Sequence, residues 1–462
     1  MSAIITDQFR ILNASNFVES VENTNNSYYV TVSLPNPITS PVGYGRSSNW
    51  NENPPPVDSI AYNSHAGDVV LYGKRITSAN IRRIVRKIEW TAGTRYEMYR
   101  DDYSIENPAP LSNASRLYDA NYYVMNSDFR VYICIENGSS GKNPKGNVSQ
   151  DEPSFTDLEP SRAGDSGDGY IWKYLFTITP SDIIKFDSTE YITVPNEWQT
   201  STDPQIRSVR ESGDSTINEN QIKTVYIADE GLNYANGLGQ EFAILGDGTG
   251  GKVRVDVEGT KITNTVVTAG GKDYSYALVD LGAINSSTTG TSAKLVPVIP
   301  PSNGHGHNVY TELGTDKVLI YSRFDDSTKD FPVDTSFAQV GIVKNPTKVG
   351  TTQIYDEDTF SALFAFKFSS ITGTPKVGDK IEQIVDNGNG RAYGYVASYD
   401  TDTKVLKYFR DRSLYYNNTT NDQQDYVGIS TNGKVYSFES STNPVSSGNF
   451  SASIDRSFAG IT

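Results

Sequence analysis

The sequence predicts a mainly β protein, with a β-sandwich core that carries a few short helices in loops, an inserted β-repeat domain and a β-rich C-terminal region. Turn-forming residues are plentiful, since 38 Gly and 21 Pro occur among 462 residues. Aromatic residues reach 11%, led by 30 Tyr, and they suit half-buried strands. With 36% hydrophobic and 21% charged residues, the chain has the balance of a folded protein, which excludes wholesale disorder.

Charge and cysteine content exclude several classes of protein. Lys and Arg number 40 against 55 Asp and Glu, a net charge of −15 without a basic stripe, which disfavours nucleic-acid binding. The single cysteine, Cys134, allows neither an intramolecular disulfide nor a site of several thiolates, and predicts a reducing compartment. The first residues have no basic segment and no apolar run reaches ~18 residues, so we expect neither a signal peptide nor membrane insertion.

Two helices are predicted near the N-terminus. Residues 6–21 place Phe9, Leu12 and Phe17 loosely on one face, and the strand-like residues 28–32 follow. Residues 79–88 repeat apolar side chains at helical spacing and put four cations on the other face, which we interpret as a solvated face rather than an anion or partner patch.

The middle of the chain alternates strands with turns. Strands are predicted at 122–135, 171–178 and 191–195. One or two helical turns are predicted at 181–186, because a capping residue and a proline precede them. The polar stretch 196–220 is interpreted as a linker.

An internal repeat comes after this stretch. Gly231-x-x-Tyr234 recurs as Gly271-x-x-Tyr274, and Gly250 and Arg254 match Gly290 and Lys294 at the same offset of 40 residues. Both copies begin and end with short strand patterns, so we expect two β-units of one kind in an inserted domain. The regions predicted are 1–205 (the sandwich), 206–300 (the insert) and 301–462 (the C-terminal region).

The C-terminal region is also predicted to be β. Phe364, Phe366 and Phe368 alternate with other residues, and residues 393–398 can pair with 405–410 across a turn. Residues 417–424 form a polar low-complexity stretch, interpreted as a surface loop.

The short segment Gly164-Asp165-Ser166-Gly167 resembles the nucleophile loop of chymotrypsin-like serine proteases. His65 and then Asp101 or Asp102 precede it in the chain order of such enzymes. However, Asp168 stands next where that family has glycine, and a carboxylate there opposes oxyanion formation.

Other candidate sites are weaker still. His305-Gly306-His307 is interpreted as a turn, because its flanking glycines are flexible and no third metal ligand is indicated. The glycine-rich segment 246–251 is interpreted as a hairpin tip, since it lacks the ending of a P-loop. The sequence therefore predicts no enzyme, no cofactor and no metal site.

A set of motifs occurs in a fixed order along the first part of the chain: Gly45-Arg46-Ser47-x-x-Trp50, Pro54-Pro55-Pro56-Val57-Asp58-Ser59, Trp90 with Thr94-Arg95-Tyr96, Val131-Tyr132-x-Cys134, Gly167-Asp168-Gly169-Tyr170-x-Trp172-x-Tyr174-Leu175-Phe176 and Glu190-Tyr191-Ile192-x-Val194-Pro195. This set resembles the dimeric baseplate wedge subunits of T-even-like contractile-tailed phages over about the first 200 residues.

The resemblance implies a β-sandwich with helices in loops, a homodimer that contacts neighbouring baseplate wedge proteins, and no catalysis. It implies a place in the virion tail baseplate, after assembly in the host cytoplasm, and a role in holding modules together while the baseplate rearranges. The motif or partner-contact residues that it implies are Gly45, Arg46, Trp50, Trp90, Arg95, Tyr96, Gly167, Asp168, Gly169, Tyr170, Trp172, Tyr174, Tyr191 and Pro195. Internal packing is favoured over direct partner contact for each.

The chain also departs from this family. The insert, at about 222–299, and much of the C-terminal region resemble expanded versions from phages of marine cyanobacteria, and a closing strand-forming segment is not evident at the C-terminus. Two alternatives are a tail-fibre or receptor-binding protein, whose exposed aromatic residues bind carbohydrate, and a serine hydrolase acting through Ser166.

Overall fold

The computed structural model describes residues 5–33, 70–213, 220–284, 291–324, 339–348, 351–371, 373–375, 380–385, 390–409, 435–438 and 451–454. The chain divides into two compact units. The first comprises residues 1–19 and 81–321, and the second comprises residues 20–80 and 322–462. The three predicted regions, 1–205, 206–300 and 301–462, are a different division of the chain and stay a prediction.

Strands dominate both units, so the predicted mainly β class is confirmed. The strands are β1 (Tyr28–Ser33), β2 (Val70–Ile76), β3 (Ile81–Arg86), β4 (Tyr123–Met125), β5 (Arg130–Asn137), β6 (Tyr170–Thr177), β7 (Tyr191–Val194), β8 (Val225–Asp229), β9 (Gly237–Gly246), β10 (Lys252–Glu258), β11 (Lys261–Ala269), β12 (Ala277–Val279), β13 (Lys294–Pro297), β14 (Lys317–Ile320), β15 (Gln339–Lys344), β16 (Thr359–Ser361), β17 (Phe364–Ile371), β18 (Lys380–Val385), β19 (Gly390–Tyr399), β20 (Val405–Phe409), β21 (Val435–Phe438) and β22 (Ser451–Ile454).

The α-helices of the described residues are α1 (Asp7–Glu22), α2 (Pro180–Phe186), α3 (Pro204–Gly213) and α4 (Val309–Leu313). Helix α2 begins as predicted, since the Thr179 side chain accepts a hydrogen bond from the Asp182 N–H and Pro180 occupies the first turn. No helix within these ranges has the length and apolar character needed to cross a membrane.

Helix α1 forms as predicted but buries a different face. Phe9 and Leu12 are about half exposed, whereas Ile11, Ala14 and Val18 are buried. Both stripes have helical spacing, so packing decides which one faces the core.

Two three-stranded sheets of the first unit surround one core. One has the order β4-β5-β6 and the other β14-β3-β7. Side chains from both, such as Ile133, Trp172 and Val194, belong to a single hydrophobic cluster. The two sheets therefore contribute to one core, and the packing of two sheets as a β-sandwich stays a prediction.

The helix predicted at residues 79–88 is wrong. A single 3-10 turn, Ser78–Asn80, precedes β3, which pairs with β7 on one side and β14 on the other. Arg83 is buried in this strand, and its guanidinium lies 4.2 Å from the centre of the Tyr310 ring. Burial of both faces removes the period-2 pattern of a half-exposed strand, which is why helical spacing was misleading here.

The linker predicted at residues 196–220 is also wrong over its described part. Trp198 is fully buried, and helix α3 occupies Pro204–Gly213 with Val209 in the core. The polar residues are the exposed side of an amphipathic helix.

The two repeat copies form one interlocked β structure. The first strand of the first copy, β8, pairs with the last strand of the second copy, β13, while β10 of the first copy pairs with β11 of the second. The Thr265 hydroxyl donates to the Val225 carbonyl, 2.7 Å away, joining two positions that are 40 residues apart. Their interior is a separate hydrophobic cluster that includes Val253, Val255 and Ile262.

The second unit contains two strand assemblies. One is an antiparallel sheet of order β15-β1-β2-β16, and the other is a closed barrel of order β17-β20-β19-β18-β21-β22. The predicted hairpin is present, because β19 pairs antiparallel with β20. The closing strand β22 pairs with β17 and β21 near the C-terminus, and residues 417–424 lie outside the described residues.

Candidate interaction site

The most specific motif begins with a fixed turn before β6. Gly167 and Gly169 have φ values of +70° and +85°, and a Cβ on Gly169 would lie 3.1 Å from the Gly138 Cα, so glycine is required at the second position. Asp168 accepts hydrogen bonds from the backbone N–H groups of Tyr170 and Gln150, both at 2.9 Å. Its carboxylate therefore stabilises two loops rather than facing a ligand.

Three aromatic rings of the motif set pack against one another. The Tyr170 and Trp172 rings are stacked at 5.3 Å, and the Tyr96 ring meets Trp172 edge-on at 5.8 Å. The Tyr170 hydroxyl accepts from the Tyr96 N–H at 2.9 Å and donates to the Asn147 carbonyl at 2.9 Å. All three side chains are buried, and burial raises the pKa of Tyr96 and of Tyr170.

The Trp172 indole N–H has no hydrogen-bond acceptor among the described residues, although it is fully buried. The next aromatic residue, Tyr174, is equally buried, and its ring lies 5.7 Å from that of Tyr132. Leu175, on the other face of the strand, is also fully buried, so the strand that carries the motif is interior on both faces.

The remaining motif residues hold loops at the edge of this core. The Trp90 indole donates to the Ser149 hydroxyl at 3.0 Å, and Arg95 Nε donates to the Gly146 carbonyl at 3.2 Å. Tyr191 begins β7, and the Pro195 carbonyl accepts from the Tyr310 hydroxyl at 2.8 Å. Gly45, Arg46, Trp50 and the proline-rich step lie outside the described residues.

A buried polar cluster lies beside the aromatic core, and sequence reasoning missed most of it. Glu312, on α4, is fully buried, and its carboxylate lies 2.5 Å from His305 Nδ1 and accepts from the Gly306 N–H at 2.7 Å. The Trp198 indole donates to the Gly306 carbonyl at 3.1 Å. The predicted turn at His305-Gly306-His307 is confirmed, since Gly306 has a φ of +88°. A tryptophan within an otherwise polar stretch was the signal that this stretch packs.

Lys173 is a buried cation that interacts electrostatically with Glu312 of this cluster. Its side chain is buried on β6, and Nζ donates to the Leu158 carbonyl at 2.7 Å and the Ser212 hydroxyl at 3.4 Å. Burial, with a smaller contribution from Lys223, lowers the pKa of Lys173 to about 8.

The protease-like string has a structural explanation. The Ser166 N–H donates to the Asp151 carboxylate at 2.9 Å, and hydrogen bonds from Ser166 lower the pKa of Asp151. His65 lies outside the described residues, and Asp101 accepts from the Ile299 N–H at 2.9 Å.

The insert makes several contacts with the sandwich region. Its ends meet, because a Cβ on Gly304 would lie 2.2 Å from the Gly213 carbonyl oxygen. In addition, Tyr226 and Val298 point into the main core, and the Arg100 guanidinium lies 4.5 Å from the centre of the Tyr226 ring. The β8–β13 pair thus contributes to both cores.

The comparisons with known proteins agree with the motif set. Residues 133–235 match the family model described as Bacteriophage T4, Gp8. The chain is also 26% identical over 228 residues to the baseplate wedge protein gp8 of Enterobacteria phage T4, and that stretch covers 44% of this chain and 63% of that protein. The chain thus spans less than two thirds of this relative's length.

The resemblance to a baseplate wedge subunit is confirmed over this part of the chain. The matched segment begins in β5 and ends after the first Gly-x-x-Tyr turn of the repeat, at residue 235. It therefore extends beyond the 200 residues that the motifs indicated.

Proposed function

We propose that this chain is a structural component of a contractile phage tail baseplate, a wedge subunit. The observation that carries the proposal is the match over residues 133–235, because this segment contains β5, β6, α2, β7 and α3, the elements that build the sandwich core and its aromatic motif. A fully packed strand such as β6 suits a part that transmits force.

The similarity to the same family also supports a more specific role. We propose a homodimer that bridges neighbouring wedge proteins during assembly and during the rearrangement of the baseplate. The chain would be assembled in the host cytoplasm and retained in the virion tail. Charge supports a protein partner, since a net charge of −15 opposes contact with a nucleic-acid backbone.

The proposal includes no catalytic step. Its support is that the Ser166 N–H is engaged by a carboxylate, which would repel a developing oxyanion. A fluorophosphonate probe applied to the purified protein should leave Ser166 unlabelled, and covalent labelling would revive the hydrolase alternative.

Quantitative mass spectrometry of purified tails, normalised to the tube protein, tests the proposed function. Two copies per wedge are expected. A copy number that matches the number of tail fibres would favour the tail-fibre alternative. Absence from the virion would contradict both the wedge and the tail-fibre proposals.

One observation favours the receptor-binding alternative. Tyr276, in the insert, is 60% exposed and lies next to β12, where Leu278 is also exposed. Exposed aromatic rings can stack on sugars. Glycan binding by the full chain that is lost in Tyr276→Ala would support this alternative.

A further inference from the structure

The tip of the β4–β5 hairpin carries a residue that the turn itself disfavours. Phe129 has a φ of +59°, a left-handed conformation that is unfavourable for a residue with a Cβ. Most other non-glycine residues with positive φ among the described residues are Asn or Asp, which tolerate this region. Phe129 is the aromatic exception.

The surrounding contacts fix this conformation. The Asn126 side chain accepts from the N–H groups of Asp128 and Arg130, at 3.0 and 2.8 Å. The Phe129 carbonyl accepts from the Ile178 N–H at 2.9 Å. Glycine would satisfy the same backbone bonds without strain, so the turn does not explain the phenyl ring.

The core does not explain the ring either. Phe129 is 39% exposed and borders a shallow, open groove on the surface. The groove is lined by apolar side chains from three elements, including Met125, Ile183 and Ile192. An exposed aromatic residue beside a shallow groove with apolar lining is typical of a protein–protein contact.

The charged residues that line the groove indicate the charge of the partner residue that would bind there. Two of the charged residues that line the groove are paired, Asp182 with Arg82 at 3.0 Å and Lys87 with Glu89 at 2.7 Å. Asp187, which also lines the groove, is exposed and makes no ion pair with any described residue. A cation on the partner would complement this carboxylate.

We propose that this groove binds a segment of another tail protein, with an apolar side chain seated against Phe129 and a neighbouring Lys or Arg at Asp187. The inference rests on the proposed function, since it requires the chain to be part of an assembled tail. It goes further by placing one partner contact on named residues.

The first test is the stability of the purified full-length chain. Phe129→Gly should change the melting temperature only slightly, because relief of the left-handed backbone strain offsets the loss of the partly buried ring. A clear decrease would overturn the proposal, since Phe129 would then serve the fold.

The second test uses assembled tails. The photo-crosslinking residue p-benzoylphenylalanine in place of Phe129 should give, after irradiation of purified tails, a crosslink to a different tail protein at an apolar residue close to a Lys or Arg. Asp187→Lys should lower the crosslink yield severalfold, and Asp187→Asn less. Ile105, which is 84% exposed on another loop, is the matched control position and should not crosslink to the same segment.

The outcomes separate the inference from the proposed function. A crosslink to a second copy of this chain, or none in tails that contain the chain, would overturn the groove proposal and leave the wedge assignment intact. Absence of the chain from tails would overturn the proposed function and the groove proposal with it.

Discussion

The Tyr234 hydroxyl accepts a hydrogen bond from the Ala293 backbone N–H at 2.8 Å, which joins the first copy of the repeat to the second. The equivalent tyrosine of the second copy returns the bond, since the Tyr274 hydroxyl accepts from the Gly251 N–H of the first copy at 3.1 Å. Both tyrosines are buried. Each copy thus supplies a tyrosine hydroxyl that accepts a backbone hydrogen bond from the other copy, and we call this pair of contacts the reciprocal clasp.

Removing either hydroxyl should weaken the insert. We expect Tyr234→Phe to cost about 1 kcal/mol, because the Ala293 N–H loses its acceptor, and Tyr274→Phe to cost more, because its hydroxyl also donates to the Ile244 carbonyl at 2.8 Å. Chemical unfolding of the full chain measures this, with Tyr276→Phe as a control whose ring is 60% exposed. An effect confined to one tyrosine would contradict the reciprocity.

The glycine before each tyrosine is the second determinant of the clasp. A Cβ on Gly231 would lie 2.6 Å from the Ala293 N, and one on Gly271 would lie 2.5 Å from the Thr249 carbonyl oxygen. Gly259 has a similar φ, +59°, but nothing within 4 Å of its Cβ position. Gly259→Ala should cost about 1 kcal/mol, and the other two alanine variants about 1–3 kcal/mol more. Equal effects at all three positions would show that backbone strain alone matters.

Two substitutions of the fully buried Trp172 should distinguish the contribution of packing to stability from that of hydrogen bonding. Trp172→Ala should cost ~3–5 kcal/mol by leaving a cavity between Tyr96 and Tyr170. Trp172→Phe should cost far less, because the indole N–H has no acceptor among the described residues. Urea unfolding measures both. If unfolding of the alanine variant were unchanged while tail assembly failed, Trp172 would instead be a partner contact.

Lys173 should make stability depend on pH in the alkaline range. Its pKa is about 8 in the folded chain against 10.5 for an exposed lysine, so the unfolded chain binds more protons between these values and stability rises with pH. The slope approaches ~1 kcal/mol per pH unit. As the pH approaches 10.0, the ordinary pKa of tyrosine, the trend reverses, because burial raises the pKa of many tyrosines, Tyr99 and Tyr122 among them, and only the unfolded chain ionises.

Melting temperatures measured from pH ~7 to ~10 test this dependence, with the window set by the pKa of Lys173. Lys173→Met should abolish the rise while retaining the decline caused by tyrosine. Persistence of the rise in this variant would assign it to another group.

The insert should stabilise the sandwich as well as itself. Tyr226→Ala removes a ring from the main core and a contact with Arg100, so it should lower the unfolding temperature of the sandwich. Ile244→Ala, which affects only the cluster inside the insert, is the matched variant. Replacing residues 222–299 with a short linker should then leave a folded but less stable chain. If Tyr226→Ala and Ile244→Ala had the same effect, the two cores would unfold as one.

Local signals in the sequence determined much of this protein. The strand at 170–177, the capped start of α2 and the β19–β20 hairpin were predictable, because alternation, a Thr-Pro pair and a short polar turn act within a few residues. The glycines of the motif turn were predictable for the same reason, since left-handed φ values depend on the residue itself.

Tertiary structure decided the rest. Strand β3 is a strand because β7 and β14, more than 100 and 230 residues later, pair with it, and its own pattern is helical. Packing determines which of two apolar faces of helix α1 is buried, and Trp198 and Glu312 both bind Gly306 although they come from distant segments. Burial and pairing depend on residues far apart in the chain, and a sequence pattern describes only neighbours.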